Sequence, residues 1–193
     1  MTDTCCWCPT DSAGHAADGN AAKGVVTSIN VSAKKGTRKT PLAEGKAQIE
    51  PSLGVAGDAH AGDWHRQVSF LAEESIEKAR TAGLDVKAGD FAENFTTSGL
   101  ELFSIPVGTV LRVGAAEVEI SQIGKVCHTR CAIYHLAGDC IFPREGIFGV
   151  VRAPGEVKVG DPIEVVRLGD GTCDATPPEA LAEVEEARAA GTL

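Results

Sequence analysis

The sequence predicts an α+β domain that is predominantly β, a β-barrel-like body with one or two peripheral helices. Three observations predict it. Short runs rich in β-branched residues recur along the chain, separated by Gly- and Pro-containing turns. Only two stretches carry helical start and stop signals. Aromatic residues make up 5% of a composition that is 43% apolar, so Val, Ile, Leu and Ala must fill the core.

In chain order, residues 1–22 are small and polar and show no period, apart from "CCWC" at 5–8. They read as a flexible tail. Cys5, Cys6 and Cys8, with His15 nearby, could chelate a soft metal, but they lack the spaced C-x₂-C pairs of a four-ligand zinc site. An incidental thiol-rich tail is the simpler reading. "GVVTSINV" (24–31) is a strand, "SAKKGTRKT" (32–40) a basic loop, and "AQIEPSLGVAGDAHAGDW" (47–64) a strand running into a loop. After Ser69, Leu71, Ala72, Ile76 and Ala79 fall at helical spacing, with acids early, cations late and Gly83 as a stop. That spacing predicts a helix. In "GTVLRVGAAEVEISQIG" (108–124), Val110/Val113 and Val118/Ile120 flank Gly114 and predict a hairpin. "IFGVV" (147–151) and "DPIEVV" (161–166) are short strands. Beyond Arg167 a linker leads to a second helix, with Thr176 as N-cap, Pro177 at the first helical position and Glu179 completing a capping box. Its apolar face, Leu181, Val184 and alanines, is thin, which predicts loose docking. The expected organisation is a tail over 1–22, a domain over 23–166, and a linker with a C-terminal helix over 167–193.

Charge and patterning exclude several function classes. With 27 acids against 18 bases the formal charge is −9, which argues against sequence-independent nucleic-acid binding. An anionic ligand requires that positive charge be concentrated locally. No 18-residue apolar run exists, so no membrane span is expected, and the N-terminus lacks the basic and apolar regions of a secretory signal. The expected compartment is the reducing cytoplasm. Seven cysteines, an odd number, then point to metal binding or reactive thiols rather than a disulfide framework.

Three segments could carry chemistry. "GDAHAGDWHRQVSFL" (57–71) combines two Gly-Asp pairs, His60, His65, Trp64 and Arg66. It can be a pocket edge where Arg66 binds an anion and a histidine acts as ligand or acid/base group. It can equally be a loop whose aspartates bond their own backbone. "AENFTTSG" (92–99) presents Glu93, Asn94, Thr96, Thr97 and Ser98, either to a polar ligand or to its own turn. "GKVCHTRCAIYHLAGDC" (124–140) holds Cys127, Cys131 and Cys140 beside Lys125 and Arg130. Nearby cations favour thiolate, the form that attacks electrophiles or binds metal. The x₃ and x₈ spacings, with His128 as a fourth donor, match neither zinc ribbons nor ferredoxin runs. A reactive thiol, a metal or cluster site and buried unreactive cysteines all remain open on these residues alone.

Taken together, the three blocks resemble the MOSC domain, named after the C-terminal domain of molybdenum cofactor sulfurases. The residues that carry the resemblance are "GDAHAGDWHRQVS" (57–69), "AGDFAENFTTSGLEL" with "IPVGTVLRVG" (88–114), and the segment ending at Cys127 followed by "GVV" and "GEVKVGDPIEV" (149–165). It covers roughly residues 23–166 and is similar to the short stand-alone bacterial members rather than to the full sulfurases.

The resemblance implies a MOSC-type β-barrel-like domain that binds molybdenum cofactor (molybdopterin), carries sulfur for it, or both. It implies one working cysteine; counted from "EVEIS" (117–121), this falls on Cys127, as persulfide carrier or molybdenum ligand. Arg66 and the Glu93, Asn94, Thr96, Thr97 loop would surround the pterin and its phosphate, helped by Lys125 and Arg130. Cys131 or Cys140 would serve as resolving thiol. No pyridoxal phosphate is expected in this chain, so sulfur would come from a separate cysteine desulfurase. The partners would be molybdenum enzymes or cofactor-maturation proteins, with no nucleic acid and no membrane. One alternative is a molybdenum-dependent reductase of N-hydroxylated compounds with Cys127 on the metal. Another is a zinc or iron–sulfur module built on Cys127, Cys131 and Cys140. The approach "QIGKVCHTRC" lacks the Pro-Arg-rich character of many family members, and the extra cysteines depart from a one-thiol pattern.

Overall fold

Burial alternates along residues 46–50 and 116–120, which turn one apolar row inward, while residues 68–72 and 147–151 are buried on both faces. A computed structural model describes residues 23–128, 134–135 and 140–193. Its strands are β1 (Lys23–Val31), β2 (Thr40–Pro41), β3 (Lys46–Glu50), β4 (Gly54–Val55), β5 (Val68–Ala72), β6 (Phe95–Ser98), β7 (Val110–Val113), β8 (Ala116–Ile123), β9 (Ile147–Ala153), β10 (Gly155–Lys158) and β11 (Pro162–Arg167). Seven of them run in the order β11-β7-β8-β9-β5-β6-β1, and β1 pairs back onto β11 to close a barrel. The predominantly β, barrel-like architecture with few helices is therefore what the chain forms. β2 hangs on β1, and β10-β3-β4 make a small second sheet. The β5–β6 pair is parallel.

The larger core gathers Val26, Ile29, Phe70, Phe95, Leu111, Val118, Ile120 and Ile163. The rings of Phe70 and Phe95 stack with centroids 5.2 Å apart. Full burial of each such side chain contributes roughly 1.5–3 kcal/mol. A smaller core of Leu71, Ile76, Ala79, Val86, Phe91, Phe142 and Phe148 lies beneath helix α1 (Glu73–Thr81) and the short α2 (Phe142–Glu145). β5 is buried along its whole length because Val68 and Phe70 enter the first core and Leu71 the second.

That two-sided burial corrects one expectation. The helical spacing starting at Leu71 does not begin a helix there: Leu71 and Ala72 end β5, and α1 starts at Glu73. A short apolar run fits either period, and ladder bonds to β6 and β9 decide it. The rest of α1 is as the sequence predicts, with Glu73 and Glu74 first, Lys78 and Arg80 last, and the Gly83 N–H donating to the Arg80 carbonyl. The hairpin at 110–123 also forms, turning at Gly114 with Val113 paired to Ala116.

The C-terminal helix α3 (Pro178–Ala189) needs a second correction. Thr176 does not cap it, because the cap position is Pro177 and makes no side-chain bond. The Thr176 hydroxyl instead donates to the Ser121 carbonyl at 2.7 Å, tying the linker to β8. Within α3 Val184 is the buried residue. Among the described residues no helix is long and apolar enough to cross a membrane.

Candidate functional site

The loop from β4 to β5 is anchored at its start by Asp58. One carboxylate oxygen accepts the Ser32 N–H at 3.0 Å; the other accepts the His60 N–H at 3.0 Å and the Lys39 ammonium at 2.9 Å. The side chains of Lys39 and Asp58 are 1% and 2% exposed, so this is a buried ion pair. Burial on its own pushes the Asp58 carboxyl up, but the His60 and Lys39 side chains hold it well below the usual carboxylate range. His60 Nδ1 lies 3.5 Å from the same oxygen. Burial pushes the Lys39 ammonium down, against the pull of Asp58.

From this anchor the loop carries Trp64 and Arg66 into a cleft of about 160 Å³, lined also by Lys39, His60, Ser69, Ala92, Asn94, Lys125, Phe142 and Phe148. The Arg66 guanidinium carbon sits 4.8 Å from the Trp64 ring centroid and 5.4 Å from that of Phe148. Both rings lie within cation–π distance of the planar cation. Arg66 Nε is buried and has no hydrogen-bond partner among the described residues. Burial pushes the guanidinium down, and the charges of Glu183 and of a Cys127 thiolate act in the opposite sense. The Lys125 ammonium lies 5.6 Å from the Phe142 ring, and the Lys125 N–H donates to the Pro143 carbonyl at 2.9 Å. Lys39, Arg66 and Lys125 thus line one cleft of a chain whose formal charge is −9, with Lys39 paired to Asp58 behind the lining. Such a concentration attracts anions.

The 93–97 loop is used differently along its length. Asn94 lines the cleft, but its amide is engaged: Oδ1 accepts the Ser69 N–H and hydroxyl, and Nδ2 donates to the Asn30 carbonyl. Glu93, Thr96 and Thr97 are fully buried. Glu93 Oε1 accepts the Gly89 N–H at 2.5 Å and the Thr96 hydroxyl at 2.9 Å, while Asn30 donates to Thr96. Burial pushes the Glu93 carboxyl up. These three side chains face the framework, so they set the wall of the cleft rather than touch what enters it. Ala92, in the left-handed region at φ 67°, presents that wall.

Cys127 is exposed, two residues beyond Lys125, and Cys140 is half-buried against the smaller core. The Gly124 N–H bonds the Gly146 carbonyl, so the strand leading to Cys127 is clamped against α2, which follows Cys140. Cys131 and Arg130 lie outside the described residues, as does the 1–22 tail with its "CCWC". His65 is not in the cleft lining: its Nε2 meets Gln122 Oε1 at 3.0 Å, and burial pushes the ring's pKa down. Glu119, Cys173 and Asp174 converge as metal ligands might be arranged, but Arg152 spans them, bonding both carboxylates and lying 3.8 Å from the Cys173 sulfur. Arg152 therefore already occupies that cluster.

A family model for the MOSC domain matches residues 57–164, more than half of the chain. The chain belongs to the MOSC domain family. Among solved structures, the YuaD protein from Bacillus subtilis is similar with a TM-score of 0.63 at 19% identity, covering 74% of this chain and 95% of its own. YiiM from Geobacillus stearothermophilus gives 0.61 at 22% identity, covering 86% and 83%. YiiM from Escherichia coli gives 0.57 at 20%, covering 87% and 92%. At these identities the likeness is one of fold, and it extends over most of each bacterial chain. A search of curated proteins finds no match.

Within this MOSC barrel the cleft uses residues that the sequence patterns do not single out. Lys39 reads as one of several solvated cations in the 32–40 loop, yet it is buried. Phe148 reads only as part of the 147–151 strand, yet its ring lies within cation–π distance of Arg66.

Proposed function

We propose that this MOSC protein binds a molybdenum-bearing pterin and carries sulfur on Cys127 for the maturation of molybdenum enzymes. The observation that carries the reading is the Arg66 guanidinium, within cation–π distance of Trp64 and Phe148 and with a buried Nε that has no hydrogen-bond partner among the described residues. A planar cation with a spare donor suits a phosphate oxygen. The donor chemistry fits the group: Arg66 and Lys125 would hold its anionic end, and Cys127 offers a soft, exposed sulfur within electrostatic reach of Arg66. When bound, the group supplies a sulfur-rich metal centre. The sulfur step proper to the chain is balanced without it. The Cys127 thiolate attacks the outer sulfur of a desulfurase persulfide, the donor S–S bond breaks, the donor thiolate leaves and takes a proton, and Cys127 holds the sulfur as a persulfide.

Anaerobically purified protein should contain molybdenum and a pterin that fluoresces after oxidation, both near one per chain. Arg66→Lys keeps the charge but removes the plane that stacks and forks, so pterin retention should weaken about tenfold. Finding neither metal nor pterin in the wild type would sink the cofactor reading. Incubation with a desulfurase and cysteine should add about 32 Da, one sulfur atom, to Cys127. Cys127→Ser should abolish the adduct; an adduct that persists on another cysteine would move the sulfur site.

A further inference from the structure

The Arg66 cleft measures about 160 Å³. Pockets that enclose a whole small ligand run to roughly 300–1,000 Å³, so this cleft has room for the anionic end of a ligand and little more. A second cavity, of about 440 Å³, adjoins it through Trp64, which lines both. Ser52, Asp63, Gln67, Val150 and Arg152 also line the larger one. Its polar groups are arranged for a ligand. Gln67 is 6% exposed, and its Oε1 accepts the Val151 N–H at 3.0 Å. That bond fixes which end of the amide is oxygen, and leaves Nε2 as a donor with no partner among the described residues. Asp63 is exposed, and its carboxylate has neither an ion pair nor a hydrogen bond among those residues. The Trp64 indole N–H donates to the His60 carbonyl at 2.9 Å, which pins the half-buried ring in place. Arg152 is already engaged by the Glu119 and Asp174 carboxylates, so the cavity offers no spare cation to a second anion.

We propose that the larger cavity is a subsite for a neutral heteroaromatic ring with an amino–imino edge, the edge that a pterin presents. Trp64 is the stacking face, Asp63 accepts the amino and ring N–H groups, and Gln67 Nε2 donates to the ring carbonyl beside them. The donor and acceptor pattern decides the class of ring. A carboxylate has two oxygens that match two adjacent N–H donors in parallel, as it matches a guanidinium. A flat indole favours an offset-stacked ring over an aliphatic group. A free amide donor at the wall calls for an acceptor on the ligand. The inference takes the pterin from the cofactor reading above, but it requires neither molybdenum nor sulfur. It divides the ligand between two places, with the anionic end at Arg66 and the ring in the cavity that shares Trp64.

The test uses the full chain from a host that makes no molybdopterin, so that no such ligand is carried through purification. Two fluorescent probes are compared by equilibrium dialysis: pterin itself and lumazine, in which a carbonyl replaces the amino group. The wild type should bind pterin about tenfold more tightly than lumazine, because a second carbonyl facing the Asp63 carboxylate repels where an amino group bonds. Asp63→Asn touches no bond within the described residues, and should bring the two affinities to within about twofold with an unchanged circular dichroism spectrum. Gln67→Glu keeps an acceptor for the Val151 N–H but loses the donor, so it should weaken both probes, which share the ring carbonyl. Inorganic phosphate should bind alongside pterin without displacing it. The inference is overturned if pterin shows no saturable binding, if its advantage over lumazine survives in Asp63→Asn, or if phosphate competes with it. Molybdenum and pterin in protein from an ordinary host decide the cofactor reading separately.

Discussion

Replacing Asp58 by alanine is expected to destabilise the protein by about 3–5 kcal/mol, because it strands a buried ammonium. The Lys39 ammonium lies 2.9 Å from Asp58 and is almost fully out of water. The same carboxylate also accepts the Ser32 and His60 amides, so alanine leaves three donors without their acceptor. The loss should appear as a lower urea midpoint with little change in the denaturant slope. A double variant, Lys39→Met with Asp58→Asn, removes the charge while keeping an acceptor for the amides, and should lose clearly less than Asp58→Ala alone. If the two lose the same amount, the penalty comes from the loop rather than the stranded charge. The pH dependence has a definite sign. Asp58 is held well below its unfolded value of 3.8, so its contribution is fully present above that pH, starts to decline below it and is lost as pH falls through the lower folded value. Glu93 acts the other way: its carboxyl is raised from 4.5, so its contribution is present at acid pH and declines as pH rises above that value. The acid limb of the wild-type stability curve should therefore flatten in Asp58→Ala.

Legibility in the sequence followed the range of the interactions involved. The hairpin at 110–123 was readable because its alternation and its Gly114 turn are local. The boundary at Glu73 was not, since Leu71 and Ala72 are claimed by strand partners Thr96 and Thr97 on β6, 25 residues away in sequence. Arg66 was found from its company in "GDAHAGDWHR", but Phe148, whose ring lies within cation–π distance of it, comes from the far strand β9 and carries no motif. Lys39 shows the limit most plainly. In a run with Lys34, Lys35 and Arg38 nothing marks it as the cation that turns inward, because that choice is made by Asp58, nineteen residues on. The "AENFTTSG" loop shows the converse. Its polar density suggested ligand contacts, and the structure shows Glu93 and Thr96 bonded to Gly89 and Asn30 inside the fold. Polar groups that must be buried look the same in sequence as polar groups that bind, since both need partners.

Gly89→Ala is expected to cost about 3 kcal/mol or more and to disturb the cleft from outside it. Gly89 has φ 87°, where an L side chain is strained, and an added Cβ would overlap the Lys39 carbonyl oxygen and come within 3.3 Å of Asn30 Cγ. The residue is a crossing point. Its carbonyl accepts the Lys39 and Ala92 N–H groups at 2.8 and 3.0 Å, and its own N–H donates to Glu93. A methyl group there pushes apart the basic loop, the end of β1 and the 90s loop, so Lys39 and Ala92 should both shift in the cleft wall. Gly83→Ala supplies the control, because Gly83 has a similar φ of 92° with nothing within 4 Å of an added Cβ. That variant should lose only the conformational part, about 1–2 kcal/mol. The difference between the two in urea unfolding measures the overlap. Trp64 fluorescence in a Trp7→Phe background should change in Gly89→Ala and stay as in wild type in Gly83→Ala. Equal losses in the two variants would mean that the Lys39 segment yields freely, and that the cleft wall is softer than its buried ion pair implies.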